Sequence, residues 1–355
     1  KARDLCQQTG KMSQLCRALG ELAKLYYVRA EHRKAHDLAQ EALSLAEQSE
    51  DPLLVALSHW YLGFISFSLG EYTTARAHLA QIISFYDPQR HHHSFVLLSG
   101  SDAGPAALAY DACCLWCLGY PAQAVTRSEE ALALAGELDH PFTLADVVTY
   151  GGCVFNAIRR DAHALEDSAE KLRRLSSEKV PSWLCTAECF AGEALAMLGQ
   201  VTNGIAQIRQ GIAATEVMGI LCYWSGTLRA LARAQADAGR PEEGLATLDE
   251  ALTFVEQRDE RHWEPELYRL RGELLLIEGD HAEAEASLQK AIDTARRQQA
   301  KSWELRAAVS LCRLWQRQGK KEEARQALAE IYGWFSEGFD SPDLQEAKAL
   351  LQELS

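Results

Sequence analysis

Three kinds of residue in this 355-residue chain could do chemistry by type and spacing. Ten cysteines stand at positions 6, 16, 113, 114, 117, 153, 185, 189, 222 and 312, with a single CxxC at Cys114 and Cys117. No second cysteine pair or histidine pair completes a zinc set around it, and no His follows it as haem attachment requires. Most of the cysteines fall within helical apolar pattern, which suits reduced, buried thiols in a cytoplasmic protein. His91, His92 and His93 carry metal-ligating rings, but consecutive side chains point different ways, so the run does not imply a metal. Acidic pairs such as Glu242/Glu243 and Glu322/Glu323 sit early in helical segments, where negative charge suits the helix dipole, and read as solvated surface. The sequence holds no GxxxxGK[ST] or GxGxxG phosphate cradle, no HExxH and no GxSxG. The chain is therefore expected to be non-catalytic, with no cofactor.

Composition narrows the class further. The chain is 47% hydrophobic and 24% charged, ordinary for a folded protein. Its net charge of −14 argues against a nucleic-acid surface, which needs clustered Lys and Arg to neutralise phosphates. No apolar run approaches the ~18 residues of a membrane span. The first residues look like the middle of a helix, so residues 1–12 are expected to be the end of a preceding repeat helix in a longer protein.

The elements that position these residues recur. Pairs of small residues twelve apart appear as Ala23/Ala35, Gly63/Ala75, Ala112/Ala124, Gly152/Ala164, Gly192/Gly204, Ala232/Gly244, Gly272/Ala284 and Cys312/Ala324. The second members advance by 40 at every step except one of 49, between Ala75 and Ala124. Fixed spacing of this kind marks a repeat architecture. Two antiparallel helices, A and B, approach closely only where the crossing carries little side chain. Gly70, Gly119, Gly199, Gly239, Gly279 and Gly319 fall seven after the helix A small residue, where a left-handed residue ends a helix. Units 1 and 4 have Ala30 and Arg159 there instead. Pro52, Pro141 and Pro181 open helix A, and Pro121 and Pro241 open helix B, at the first turn where the missing N–H is harmless. Helix B adds Leu79, Ile208, Leu248, Leu288 and Leu328 four after its small residue. Ser128 and Ser168 stand there in units 3 and 4, which are expected to pack more loosely, and Lys171 is a misfit at the next position.

Small at the eighth place, small at the twentieth, large apolar at the twenty-fourth and small at the twenty-seventh resembles the tetratricopeptide repeat, with longer helices than its usual ~34 residues give. HEAT repeats share the 40-residue period but lack this register and turn. The expected fold is all-α: a right-handed superhelical solenoid of eight helical hairpins over 13–335, with an insertion at 88–105 and a capping helix in 336–355. A more specific resemblance lies in LGYPAQA (118–124), QAKSWELRAA (299–308) and YGWFSEGFDSPDLQEAKALL (332–351). These look like the C-terminal repeat region of large bacterial signalling ATPases of the STAND type that carry a class III adenylate/guanylate cyclase domain. That resemblance implies a sensor or partner-binding arm, taking a protein, peptide or small effector in its concave groove and acting on the parent's ATPase or cyclase domains. The alternatives are the effector arm of a STAND-type transcription activator, like the maltotriose-responsive one, and a pure assembly scaffold.

In repeats of this type the concave wall comes from helix A. Projection gives Trp60, Phe64 and Phe67 in unit 2, Cys113 and Trp116 in unit 3, Thr149 and Asn156 in unit 4, and Glu193 in unit 5. It gives Arg229, Arg233, Arg269, Glu273 and Arg313 in units 6 to 8. Two readings stand: the aromatics pack between units and the Arg/Glu pairs bridge neighbours on the surface, or the wall is a ligand groove whose Arg229, Arg233, Arg269 and Arg313 read an anion or carboxylate. The insertion, PQRHHHSFVLLSGSDAGP, is expected to be a loop, either a plain surface or groove-lining one or one that contacts a ligand or partner through His91, His92, His93 and Asp102. Its Gly100-Ser101-Asp102-Ala103-Gly104 matches a Gly-x-Asp-x-Gly sequence of the related proteins, although Asp102 could simply cap helix A of unit 3. Trp183, Tyr223, Trp263 and Trp303 form a row at steps of 40, expected to staple neighbouring units.

Overall fold

The computed structural model describes residues 12–355, all of it helix, turn and connecting chain. The expected helix over residues 1–12 lies outside the described residues except for Met12, where the first helix begins. Eighteen helices follow in order. Units 1 and 2 are α1 (Met12–Val28) with α2 (His32–Ser49), and α3 (Pro52–Ser68) with α4 (Tyr72–Phe85). After α5 (Pro88–Ser99) come α6 (Ala103–Leu118) with α7 (Pro121–Leu138), and α8 (141–159) with α9 (Ala162–Glu178). Units 5 and 6 are α10 (Leu184–Met197) with α11 (Val201–Met218), and α12 (Trp224–Asp237) with α13 (Pro241–Arg258). Units 7 and 8 are α14 (Glu264–Glu278) with α15 (His281–Arg297), and α16 (Lys301–Arg317) with α17 (Lys321–Tyr332). The cap is α18 (Pro342–Glu353).

The small-residue register does what close helix packing requires. A Cβ on Gly192 would lie 2.7 Å from the Ile208 nitrogen, and one on Gly204 2.6 Å from the Gly192 oxygen. Leu79, Ile208, Leu248, Leu288 and Leu328 are wholly buried beside these crossings. The six turn glycines all have positive φ, between 73° and 95°. At Gly119 the surroundings also exclude a side chain, since a Cβ would meet the Trp334 ring at 2.5 Å.

Three expectations are corrected. The insertion is not a loop along its length, because Pro88–Ser99 is helical. Asp87 caps its start, Pro88 supplies the first turn, left-handed Gly100 ends it and Phe95 is fully buried beneath it. The turn of unit 4 is made by Arg160 (φ 62°), not Arg159, while Ala30 (φ 56°) makes that of unit 1 without glycine. The cause in unit 4 is a π-helical stretch, Val148–Val154, inside α8. The wider turn absorbs one extra residue. Helix B of unit 4 is thereby displaced by one: Leu165, Ala169 and Leu172 are wholly buried, whereas Ala164 and Ser168 are only half-buried and Lys171 is exposed. The apparent misfit at Lys171 is thus a register shift, and Leu172 fills its place.

The solenoid winds tightly enough to meet itself. The last carbonyls of a helix have no partner within it, and here they find one four or five repeats later. Val28 O accepts from Leu221 N at 2.7 Å and Ser68 O from Arg261 N at 2.7 Å. Trp116 O accepts from Ser302 Oγ at 2.5 Å, and Ile158 O from Arg306 Nη2 at 2.8 Å. Units 1, 2 and 3 thus end on units 6, 7 and 8, and unit 4 ends beside the cap, where Arg160 pairs with Asp343 at 2.8 Å. Tyr72 Oη also donates to His262 O at 2.9 Å across the same seam.

Candidate functional site

The seam decides where the concave residues lie. Trp60, Phe64, Phe67, Cys113 and Trp116 are all buried, and the second superhelical turn covers part of them. Phe67 packs on the His262 ring at 5.1 Å, and Trp116 meets Trp303 edge to face at 4.9 Å. Trp263 lies 5.4 Å from Trp303, and Tyr223 lies 5.5 Å from Tyr150. The aromatic row therefore contacts the preceding superhelical turn as well as its neighbours in the array. Thr149 is buried with its hydroxyl donating to Ala145 O at 2.8 Å. Asn156 Nδ2 donates to Ala164 O at 3.1 Å and to Ser168 Oγ at 3.2 Å, tying α8 to α9.

Every projected arginine has a carboxylate. Arg229 pairs with Glu193 and lies 4.2 Å over the Trp263 ring. Arg233 pairs with Asp237 at 3.0 Å and approaches Glu273 at 3.8 Å. Arg269 binds Glu266 through two bonds of 2.7 and 2.8 Å, and also pairs with Glu273. Burial opposes ionisation of Glu266, but the Arg269 and Arg306 guanidinium groups hold it down to about 2. Arg313 reaches Glu346 of the cap at 2.8 Å.

The insertion helix is also tied in. His91 stacks on Phe85 at 4.4 Å and accepts from Asp87 N at 2.9 Å. His92 Nδ1 lies 2.7 Å from Asp102 Oδ2, and His93 is exposed. Asp102 caps α6 by accepting from Gly104 N at 3.0 Å, and its other oxygen accepts from Tyr86 Oη at 2.5 Å. Among the described residues no three His, Cys, Asp or Glu side chains converge on a metal position. The nine described cysteines are free and buried, with no disulfide at Cys114 and Cys117. Burial pushes the Cys117 thiol up to about 12 and Cys114 well above its ordinary value.

A cavity of about 240 Å³ opens between the two superhelical turns. On one side stand Trp60, Phe64 and Tyr110, with Lys24 and Tyr27 from α1. On the other stand Trp183, Thr186, Cys222 and Tyr223. Helix α8 closes it with Phe142, Asp146 and Tyr150. The phenols hold one another: Tyr27 Oη bonds Tyr150 Oη and lies 3.3 Å from Tyr110 Oη, and Tyr110 stacks on Tyr150 at 3.8 Å. Tyr150 lies within the π-helical stretch and Asp146 just ahead of it, so this irregular helix faces the cavity; such bulges are frequent at functional sites. Projection had found Trp60 and Phe64 and missed the rest. The same rule carried back to unit 1 gives Lys24 and Tyr27, one and four after Ala23. Tyr110 and Tyr150 stand two before their small residues, one place off the rule.

With this geometry the chain falls in the class of tetratricopeptide-type solenoids. The Rap protein complexed with Competence and Sporulation Factor superposes with TM-score 0.59 at 10% identity, over 96% of this chain and 97% of that one. A chain of the APC/C hetero-tetramer Cut9–Hcn1 gives 0.57 at 13% identity, over 94% of this chain and 54% of the other. In sequence, the uncharacterized protein R02095 of Rhizobium meliloti (strain 1021) is 24% identical over 282 residues, 79% of this chain. The chain spans 27% of that relative's length. No family profile matches the sequence. Among the described residues no helix is long and apolar enough to cross a membrane.

Proposed function

We propose that this chain is an effector-responsive binding arm, in which a small molecule held between the two superhelical turns sets how tightly the solenoid is wound. The carrying observation is the cavity itself, lined from α1, α3, α6 and α8 on one side and from the segments around Trp183 and Tyr223 on the other. A ligand there touches repeats that meet only because the superhelix closes, so its binding energy acts on closure. A solenoid of this class supports protein binding through its outer and edge surfaces, and a change of winding alters what those surfaces present. Rap, solved in complex with Competence and Sporulation Factor, winds over nearly the same length. The parent is a larger signalling ATPase or nucleotide cyclase. Support comes from the resemblance of 118–124, 299–308 and 332–351, and from the longer relative of which this chain matches about a quarter.

A thermal-shift screen of a metabolite collection tests the reading, run in parallel on the chain and on Ser182→Trp, which places an indole at an exposed lining position. The expected result is a class of compounds that raises Tm of the chain and not of the variant. No stabilising compound, or equal stabilisation of both proteins, contradicts it. For the parent protein, ATPase or cyclase output indifferent to deletion of these repeats contradicts the regulatory role.

A further inference from the structure

The cavity wall is unusual in what it pairs. Its surface is dominated by ring faces and edges from Tyr27, Trp60, Phe64, Tyr110, Phe142 and Trp183, with Tyr150 and Tyr223 adjoining. Into this wall is set the carboxylate of Asp146, which has neither a hydrogen bond nor an ion pair among the described residues. Asp146 is half-buried, whereas the buried acids Glu193, Glu266, Asp343 and Glu260 have such partners in Arg229, Arg269, Arg306 and Ser225. Lys24, the one cationic side chain among the lining residues, is engaged elsewhere. Its Nζ donates to Ser99 O at 2.8 Å and lies 5.8 Å over the Phe142 ring. A half-buried carboxylate that faces an aromatic wall without a protein donor is under-solvated, and aromatic faces attract cations through their quadrupole. Asp146 therefore has no cationic donor bonded to it, although the Lys24 charge reaches it across the cavity.

We infer that the cavity binds a small protonated amine with an apolar body, its ammonium hydrogen-bonded to Asp146 and flanked by the aromatic rings. This rests on the reading of the cavity as an effector site. Size fits the class: about 240 Å³ equals roughly eight water volumes, room for a ligand of roughly ten to fifteen non-hydrogen atoms. A quaternary ammonium would satisfy the rings but cannot donate to the carboxylate, so the primary amine is the better occupant. Burial, opposed by the Lys24 charge, raises Asp146 to about 6. The other titratable groups facing it are Tyr27 from α1, Tyr110 from α6, Tyr150 from α8 itself, and Cys222 and Tyr223 ahead of α12. Burial pushes all five upward, so they stay neutral below pH 7. Amine affinity should then be flat above about pH 6 and fall as Asp146 takes up its proton below it.

The test is calorimetric titration of the full chain with phenethylammonium chloride, 2-phenylethanol, 3-phenylpropionate and choline chloride. Each is used at up to ~10 mM, enough to reveal a Kd near ~1 mM. Phenethylammonium is expected to bind roughly ten- to a hundredfold more tightly than phenylethanol, the margin of a charge-assisted hydrogen bond, with phenylpropionate weakest. Asp146→Asn should erase that margin and the pH dependence while leaving phenylethanol binding and the fold unchanged. Asp146→Glu should retain part of both. If phenethylammonium binds no better than phenylethanol, or Asp146→Asn leaves the margin intact, the amine inference is overturned. If choline binds as tightly as phenethylammonium, the hydrogen bond to Asp146 is wrong. If the neutral and anionic probes bind and Ser182→Trp blocks them, the effector cavity stands and only its charge preference falls. If none of the four binds, the amine inference falls, and the metabolite screen decides the cavity reading separately.

Discussion

Arg306 is the side chain on which closure converges. Its guanidinium lies 4.9 Å from the Trp303 ring and 5.1 Å from the Trp116 ring, forks onto Asp343 at 3.0 and 2.6 Å, and donates to Ile158 O. It therefore joins units 3, 4 and 8 to the cap. Arg306→Ala should cost roughly 3–5 kcal/mol in urea unfolding, as removal of one member of a buried pair does. Arg306→Lys should recover only part of this, because an ammonium cannot fork. Beside the seam, Glu260 accepts from Ser225 Oγ at 2.8 Å with its other oxygen unpartnered, and burial raises it from 4.5 to about 8. Its contribution to stability is full below pH 4.5 and is lost as pH rises from there through about 8. His32 and His262 act oppositely. Burial lowers them from 6.5 to about 4 and about 3, so the stability of their neutral forms is present above pH 6.5 and lost as pH falls toward those values. Glu260→Gln should accordingly flatten the loss of Tm between pH 5 and pH 8 and leave the acid limb in place. An unchanged alkaline limb would exclude Glu260 as its source.

At the scale of elements, the repeat rule accounts for most of the backbone. Gly192→Ala should destabilise by ~1–3 kcal/mol, because its Cβ would press on the Ile208 backbone and the helices would have to part. Ala30→Gly should stabilise by up to ~1 kcal/mol, since Ala30 is held at φ 56° and its methyl is the only side chain lost. Denaturation midpoints of the two variants should therefore move in opposite directions. These elements were legible because one geometric need, close crossing followed by a left-handed turn, repeats at fixed spacing. Helix α8 was not. A π-helical turn shifts the register by a single residue, and Gly152 with Ala164 still matched the small-residue rule although the buried residue is Leu165. The insertion was misread for another reason. Asp87-Pro88 and Gly100 are sound helix start and stop signals, but the run of histidines hides the apolar period between them, leaving Phe95 as its one fully buried anchor.

At the scale of the molecule, the solenoid is organised by contacts between residues nearly two hundred apart, such as Tyr72 with His262 and Trp116 with Ser302. No local pattern announces these. Helix A supplies both the concave face and the last carbonyls that accept across the seam, so residues projected onto an open groove can equally belong to a closed interface. Hence Trp60 and Phe64 were found and Asp146, whose role depends on what faces it, was not. Closure is also the central physical claim, because without it no cavity lies between the turns. Thr73 and Gln299, both exposed, meet across the seam with Thr73 Oγ1 donating to Gln299 Oε1 at 2.7 Å. The direct test is the variant Thr73→Cys with Gln299→Cys, treated with a short bifunctional maleimide and mapped by peptide mass spectrometry, the native cysteines of the described chain being buried. The closed solenoid predicts an efficient intramolecular link between positions 73 and 299 in the monomer. Full but separate labelling of the two thiols, with no link between them, would mean that the superhelix is open and that its two turns do not meet.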